Sequence, residues 1–225
     1  NGNSSEQTVS LAITNQLASA PQIIVNQPSS YLSLSGEKSQ SSWQYASVHS
    51  SSSLSIAGEI TISAWLYRDE AASSDWRNLY DIPGAHLLEM STDGTLRWRA
   101  ENNNGDFSVQ GPQLPVNEWH NVTVVMRQGA SNFEAEFYFN GQLVATNTAP
   151  TGVRDSGENL YLGILWSQQS NPDPWSGGID DFRIWNQALT VEEIGKLAAG
   201  STGIQASNLV ADYTFDDIQN GIVQD

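Results

Sequence analysis

The sequence contains no cysteine, and this absence removes several kinds of chemistry at once. There are no disulfides, no thiolate nucleophile and no Cys-ligated zinc or iron–sulfur centre. Basic residues are also scarce, since 9 Lys and Arg stand against 25 Asp and Glu, a formal net charge of −16. This balance argues against nucleic acid and anionic membrane surfaces as partners, because both attract clustered positive charge. No apolar run approaches the roughly 18 residues of a membrane-spanning helix.

The composition indicates an extracellular or cell-surface location. Lys38 and Lys196 are the only lysines, and Ser, Asn and Gln are abundant. The first ten residues lack the basic and apolar regions of a signal peptide, so we expect the chain to be part of a larger secreted or surface protein. Residues 1–28 are polar and are expected to form a linker or an N-terminal edge segment. Residues 29–225 are expected to form one domain.

The alternation of side chains predicts β-structure along most of the domain. Phe133, Ala135, Phe137 and Phe139 alternate with polar or mixed positions, and the Asn140-Gly141 pair that follows is typical of a tight hairpin turn. Further strands are predicted over residues 31–34, 60–66, 96–99, 119–126, 142–146, 160–164, 179–185 and 209–215.

One helix is indicated near the C-terminus. Thr190 and Glu193 have the spacing of a capping box, and Gly200 follows as a stop signal. About ten strands and one short helix predict an all-β fold, a two-sheet antiparallel jelly-roll sandwich.

Four segments carry a resemblance to a known family. They are residues 60–66, 117–124, 137–144 and 177–194, the last reading Gly-Gly-Ile-Asp-Asp-Phe-Arg-Ile-Trp-Asn-Gln-Ala-Leu-Thr-Val-Glu-Glu-Ile. The chain resembles laminin-G-like and pentraxin-like domains of the concanavalin A-like lectin/glucanase superfamily over roughly residues 29–217. The resemblance implies a jelly roll, and it implies roles as lectin modules, accessory modules of secreted enzymes or parts of bacterial adhesins.

Two further expectations concern packing. Trp65, Trp119 and Trp185 are expected in the core. The strand near residues 209–215 is expected to close this domain, although it could also open a second domain of the same kind.

Catalytic motifs are missing. Some hydrolases on this fold carry a Glu-x-Asp-x-x-Glu strand, whose carboxylates act as nucleophile and acid. Only Glu134 and Glu136 alternate here, and Phe139 or Asn140 stands where the third carboxylate would be. The pair is expected on a solvated strand face, and no enzyme activity is predicted.

A structural calcium ion is a second expectation from the resemblance. In related sandwiches an Asp such as Asp180 binds calcium together with backbone carbonyls of the N-terminal strands, and Gly36 lies in a suitable loop. Calcium prefers six to eight oxygen ligands. Alternatively, Asp180 hydrogen-bonds the backbone between the sheets.

Two loops have the composition of a sugar-binding site, in which aromatic rings contact sugar C–H faces and planar polar groups bind hydroxyls. The first contains the candidate ligand-binding residues Asp75, Trp76, Arg77 and Asn78. The second, residues 166–175, contains the candidates Trp166, Gln168, Asn171, Asp173 and Trp175. Tryptophan in a polar loop is poorly explained by core packing, although these rings could also cap the ends of the sandwich.

The sequence therefore predicts a non-catalytic, lectin-like module that binds a carbohydrate or cell-surface glycan with possible help from calcium. One alternative is a protein- or peptide-binding adhesion module, which predicts an extended apolar or edge-strand surface. Another is a structural spacer, which predicts that Trp76, Trp166 and Trp175 are all buried. Neither nucleic-acid binding nor membrane insertion is expected.

Overall fold

A computed structural model describes residues 30–36, 43–69, 75–101, 106–166, 172–204 and 207–216, and the backbone of two short strands beyond them. The predicted linker or edge segment, residues 1–28, lies outside the described residues. Among the helices of the described part, none is long and apolar enough to cross a membrane.

The described chain forms fifteen strands and one helix. The strands are β1 Leu32–Ser35, β2 Ala46–Val48, β3 Ile60–Arg68, β4 Arg77–Ile82, β5 His86–Met90, β6 Thr95–Ala100, β7 Phe107–Gln113, β8 Trp119–Gln128, β9 Phe133–Phe139, β10 Gln142–Ala149, β11 Leu160–Leu162, β12 Ser176–Trp185, β13 Leu209–Tyr213, β14 Ile218–Gln219 and β15 Ile222–Val223. Helix α1 spans Val191–Ala198.

Two antiparallel sheets form a sandwich. The seven-stranded sheet has the order β1-β12-β3-β8-β9-β10, with β13 also pairing with β12, and the six-stranded sheet has the order β2-β11-β4-β5-β6-β7. The fold class predicted from sequence, an all-β sandwich with one short helix near the C-terminus, is confirmed. Because β13 pairs with β12, the strand at 209–213 closes this domain, as expected.

Six strands were not predicted: β2, β4, β5, β7, β14 and β15. In β4 and β5 nearly every residue is buried, so the alternation of apolar and polar residues that marks a half-exposed strand is absent. β2 has only three residues, too few for a periodic pattern.

The central core lies between the two sheets and contains one internal polar network. The indole N–H of Trp98 donates to the Tyr80 hydroxyl (2.6 Å), and that hydroxyl lies 3.1 Å from Nδ1 of His86. Because Tyr80 accepts from Trp98, its own proton can serve His86. Burial lowers the pKa of His86 to about 4, so the imidazole is neutral at neutral pH.

A second apolar cluster lies on the outer face of the seven-stranded sheet, beneath α1. Trp185 is fully buried there among Ile194 and Leu197 of the helix, and its indole N–H donates to the Ile204 carbonyl (3.0 Å). The predicted capping box is present, since Thr190 accepts from the Glu193 backbone and Glu193 accepts from the Thr190 backbone. Trp185 is thus buried as predicted, but under the helix rather than between the sheets.

Candidate functional site

The structure brings the two predicted loops together at the start of β4, an interior strand of the six-stranded sheet. The Asn78 N–H donates to the Asp173 carbonyl (2.7 Å), and Asn78 forms a parallel bridge with Pro174. Arg77 Nη1 donates to the carbonyls of Pro174 (2.8 Å) and Gly36 (3.1 Å). Arg77 therefore joins three segments of chain and acts as a structural residue rather than a free ligand contact.

Three predicted ligand-binding residues are buried, which corrects the prediction for each. Trp175 is 0% exposed and packs in the central core, and Asn78 is 1% exposed. The Asn78 amide, in the orientation that satisfies its neighbours, donates to the carbonyls of Tyr80 (2.8 Å) and Ile164 (3.2 Å). Asp173 is also buried, at a left-handed backbone position with φ 44°. These side chains hold the loops in place and cannot reach a ligand.

Trp76 remains half-buried on the outer face of the six-stranded sheet. The Arg97 guanidinium lies 4.3 Å from the centre of its ring, a cation–π contact. Arg97 Nε also donates to Glu89 Oε1 (2.7 Å), its cross-strand neighbour. One face of the Trp76 ring is therefore covered by a guanidinium, which is itself fixed by a carboxylate.

Trp166 stacks on another strand of the same sheet. Its ring lies parallel to that of Tyr161, with centroids 4.5 Å apart and planes 9° apart, and Tyr45 lies 5.4 Å from it at a tilt. Trp166 and Tyr45 are half-exposed, whereas Tyr161 is buried beneath them. We call Tyr45, Tyr161 and Trp166 the aromatic ledge.

The ledge and the Arg97 group share one face. Leu160 and Leu162 point into the core, so Tyr161 between them points outward, and Arg97 between Leu96 and Trp98 does the same. Strand β11 lies three positions from β6, a separation of roughly 14 Å. The face thus combines stacked aromatic rings with charged hydrogen-bonding groups, a combination that suits an extended, polyhydroxylated ligand.

Sequence reasoning missed three contributors to this face, Tyr45, Tyr161 and Glu89, and it did not place Arg97 beside the predicted loops. Alternation within the predicted strand 96–99 could have placed Arg97 opposite the core. Tyr161 could have been found in the same way, as the outward residue between two leucines. Asp75 is half-buried, and its charge raises the pKa of Arg77, although burial lowers that pKa more strongly. Gln168 and Asn171 lie outside the described residues.

The structure does not bring the two predicted metal ligands together. Ser35 pairs with Ser176 and Leu32 with Ile179, so Gly36 and Asp180 are at least roughly 13 Å apart along β12. The Gly36 carbonyl already accepts from the cationic Arg77. Within the described ranges, no group of three His, Cys, Asp or Glu side chains is placed to hold a metal ion.

Asp180 is itself buried in a way that disfavours its charged form. Burial, followed by the charge of Asp181, raises the pKa of Asp180 to about 8. Its Oδ1 atom is buried without a hydrogen-bond partner among the described residues. The separation of Gly36 from Asp180 is too large for the two residues to bind one calcium ion together, so a site built from this pair does not fit this structure, and calcium binding itself stays a prediction.

The expected solvated carboxylate pair on β9 is also corrected. Glu134 is exposed, but Glu136 is buried against the loop that precedes α1. Arg127 binds Glu136 through two nitrogens (2.8 and 2.9 Å) and also donates to the Leu189 carbonyl, while the Tyr138 hydroxyl donates to Glu136 (2.8 Å). Glu136 is therefore fully engaged in a structural ion pair that anchors the helix.

The comparison with family models identifies the family. Residues 40–195 match the model described as Laminin_G_3, Concanavalin A-like lectin/glucanases superfamily, and the chain belongs to this family. No curated protein matches the chain significantly.

Solved structures of low sequence identity share the fold. A candidate carbohydrate-binding protein from Bacteroides ovatus ATCC 8483 is similar with a TM-score of 0.62 and 18% identity, covering 80% of this chain and 52% of the other. The sialidase CBM40 module of Ruminococcus gnavus, bound to α2,6-sialyllactose, has a TM-score of 0.51 and 15% identity, covering 64% of this chain and 85% of the other. The chain thus spans about half the length of the Bacteroides ovatus protein.

A pentraxin is a more distant structural neighbour. The heptameric SAP-like pentraxin of Limulus polyphemus has a TM-score of 0.45 and 15% identity, covering 63% of this chain and 70% of the other.

Proposed function

We propose that this domain is a non-catalytic carbohydrate-binding module of an extracellular or cell-surface protein, and that it binds glycans on the outer face of the six-stranded sheet. The observation that carries the proposal is the aromatic ledge, where a half-exposed Trp166 stacks parallel on Tyr161. Flat, partly exposed rings are the usual platform for the C–H faces of sugars.

The charged groups on the same face suit the polar part of a glycan. Arg97 and Arg99 both project from β6 on the ledge side, and each keeps about a quarter of its side chain exposed, at 29% and 26%. Arg97 is held by Glu89, so its position is set before a ligand arrives. Preorganised donors lose less entropy on binding, and arginine donors also accommodate acidic sugars.

The spacer alternative is not supported by the exposure of the three loop tryptophans. A spacer predicts that all three are buried, whereas only Trp175 is. The carboxylates do not support catalysis either, because Arg127 neutralises Glu136 and its strand neighbour Glu134 is exposed.

A protein-binding role is a second candidate, and it rests on one specific observation. Leu143 and Val144 are 51% and 48% exposed on β10, the last strand of the seven-stranded sheet. Exposed apolar residues on an outermost strand are one way of receiving a peptide. Substituting both with Asp is expected to abolish such an interaction and to leave glycan binding unchanged.

The test of the proposed function is a glycan array probed with the intact chain, once with millimolar calcium and once with a chelator. Selective binding in both conditions supports a calcium-independent module, and binding lost on chelation adds calcium to the mechanism. Absence of binding in both conditions contradicts the proposal for the glycans on the array. The Trp166→Ala variant should lose the signal, whereas Val191→Ala, a change at an exposed residue of α1, should keep it.

A further inference from the structure

A second concave site lies on the opposite sheet, far from the aromatic ledge. A cleft of about 400 Å³ opens on the outer face of the seven-stranded sheet, beside the end of helix α1. Its lining residues are Trp65, Asn117, Glu118, Trp119, His120, Asn140 and Ala198. Clefts of this volume are at the small end of those that hold small-molecule ligands.

The register of the strands explains how the two tryptophans reach this face. Trp65 pairs with Asn121 and Trp119 with Tyr67 on neighbouring strands, while Leu66 and Val122 point into the core. Trp65 and Trp119 are buried as the sequence predicted, yet they lie outside the central core. Trp119 is held rigidly, with Tyr31 at 5.1 Å on one side and Tyr67 at 5.5 Å on the other.

The far wall is formed where a hairpin turn touches the helix. Gly141 lies so close to α1 that an added Cβ would approach Ala198 Cβ to 3.0 Å, and its φ is 78°. The Asn140-Gly141 turn is therefore fixed against the last turn of the helix, and it holds the Asn140 amide at the cleft. A wall of this kind keeps its shape without a ligand.

A chain of hydrogen bonds orients the polar groups. Asn140 Oδ1 accepts from the Asn121 N–H (2.9 Å), which turns the Asn140 amide nitrogen toward His120 Nδ1 (3.1 Å). Because Nδ1 then accepts, the neutral imidazole carries its proton on Nε2. Burial is the main cause that lowers the pKa of His120, so the neutral form prevails at neutral pH.

The Nε2 proton of His120 points toward Glu118, the charged residue of the cleft. His120 is 9% exposed, and its Nε2 is buried without a hydrogen-bond partner among the described residues, with Glu118 Oε2 at 3.5 Å. The Glu118 side chain is 70% exposed and can shorten this contact by a small rotation. Because Glu118 lines the cleft, its carboxylate would accept hydrogen bonds from a ligand's hydroxyls.

From this geometry we infer that the cleft is a second sugar site, which takes a single neutral pyranose ring. The exposed edges of the Trp65 and Trp119 indoles would contact the C–H groups of the sugar, Glu118 would accept from two hydroxyls, and the Asn117 and Asn140 amides would supply both donors and acceptors. Glu118 is the only charged residue among the lining residues, so an acidic sugar would meet repulsion and no cation. The inference stands apart from the proposed function, because it uses another sheet and none of the ledge residues.

The test is an NMR titration of the intact, ¹⁵N-labelled chain in which indole N–H signals are followed and assigned by single Trp→Phe substitutions. The probes are glucose with glucuronic acid, galactose with galacturonic acid, and N-acetylglucosamine, so that the first four form pairs that differ only at C6. Saturable shifts of the Trp65 and Trp119 signals with at least one neutral sugar, and not with its acidic partner, are expected. The absence of such shifts with all neutral probes overturns the inference, as does equal binding of both members of a pair.

Substitutions of Glu118 and of a control glutamate distinguish binding in the cleft from a nonspecific effect of the sugar. Glu118→Gln keeps the side-chain shape and should weaken the neutral sugar roughly tenfold, as expected for loss of a charged hydrogen-bond acceptor. Glu134→Gln, an exposed glutamate on the same sheet, is the matched control and should change nothing. Equal affinity of the two variants overturns the role of Glu118 and with it the site.

The Trp166→Ala variant keeps the two proposals distinct. It should leave the Trp65 and Trp119 shifts intact even where it removes binding on the array. If it abolishes the cleft shifts as well, the cleft is not an independent site and the inference is wrong.

Discussion

The two outer faces of the sandwich are covered in different ways. On the six-stranded sheet, Trp76 and Trp166 lie over strand side chains and stay half-exposed. On the seven-stranded sheet, α1 covers Trp185 completely, and Trp65 and Trp119 are exposed only where a cleft remains. A tryptophan outside the central core is therefore a buried structural residue where a helix packs above it. Where no helix covers it, the ring stays accessible and can contact a ligand.

The largest expected effect concerns the helix-covered face. Trp185→Ala removes a fully buried ring and its hydrogen bond to Ile204, so the free energy of unfolding should fall by about 3–5 kcal/mol. Trp166→Ala, on the other face, should cost less than about 1 kcal/mol because the ring is already half in solvent. Urea unfolding of both variants measures the contrast, and similar losses would contradict the difference between the faces.

The pH dependence of stability should separate two buried groups, one on each sheet. His86 has a folded pKa of about 4, below its unfolded value near 6.5, so the unfolded state binds the extra proton and stability falls as pH drops from about 6.5 to 4. Asp180 has a folded pKa of about 8, above its unfolded value near 4, so the folded state keeps its proton and stability falls as pH rises from about 4 to 8.

Because the two slopes are opposite, the pH range above about 6.5 reports on Asp180 and not on His86. Between about pH 6.5 and 8, stability should fall mainly through Asp180, with a contribution in the same direction from Asp181, whose pKa burial also raises, and Asp180→Asn should flatten most of that fall. Below about pH 6.5, His86→Asn should reduce the acid-side loss, and the remainder should come from His120, whose pKa burial also lowers. Thermal melts in chelator at pH 5, 6.5 and 8 measure both, and an unchanged slope in either variant shows that its group is not responsible.

A smaller effect is expected at the start of the helix. Thr190→Ala removes the side chain that accepts from the Glu193 N–H, so α1 should be destabilised by about 1 kcal/mol. Thr190→Ser keeps the hydroxyl and should retain most of the stability. If Thr190→Ala and Thr190→Ser have the same melting temperature, the hydroxyl at the N-terminal cap does not stabilise α1 on this face.

Much of the fold could be predicted because its signals are local. The alternation of Phe133–Phe139, the Asn140-Gly141 turn and the Thr190–Glu193 cap each lie within a few residues of sequence, and all three occur as predicted. Strands β4 and β5 were not predicted because both of their faces are covered. Their sequences therefore lack the alternation of apolar and polar residues. What covers a strand is a long-range property, and a single sequence does not display it.

The candidate site was predicted less well, for the same reason. Trp76 and Trp166 remain accessible, but Trp175, nine residues after Trp166, folds back into the core. Nothing in the polar, proline-containing loop distinguishes the two rings. Their different environments follow from the contacts of Arg77 and Asn78 with the Asp173-Pro174 backbone, which join segments about a hundred residues apart in the chain.

The measurement that tests the central claim most directly is calorimetric titration of the strongest array glycan into the native chain and into Trp166→Ala. Loss of the platform ring of the aromatic ledge should raise the Kd at least about tenfold, while the free energy of unfolding changes by less than about 1 kcal/mol. An unchanged Kd in a folded Trp166→Ala variant would contradict the assignment of glycan binding to the six-stranded face.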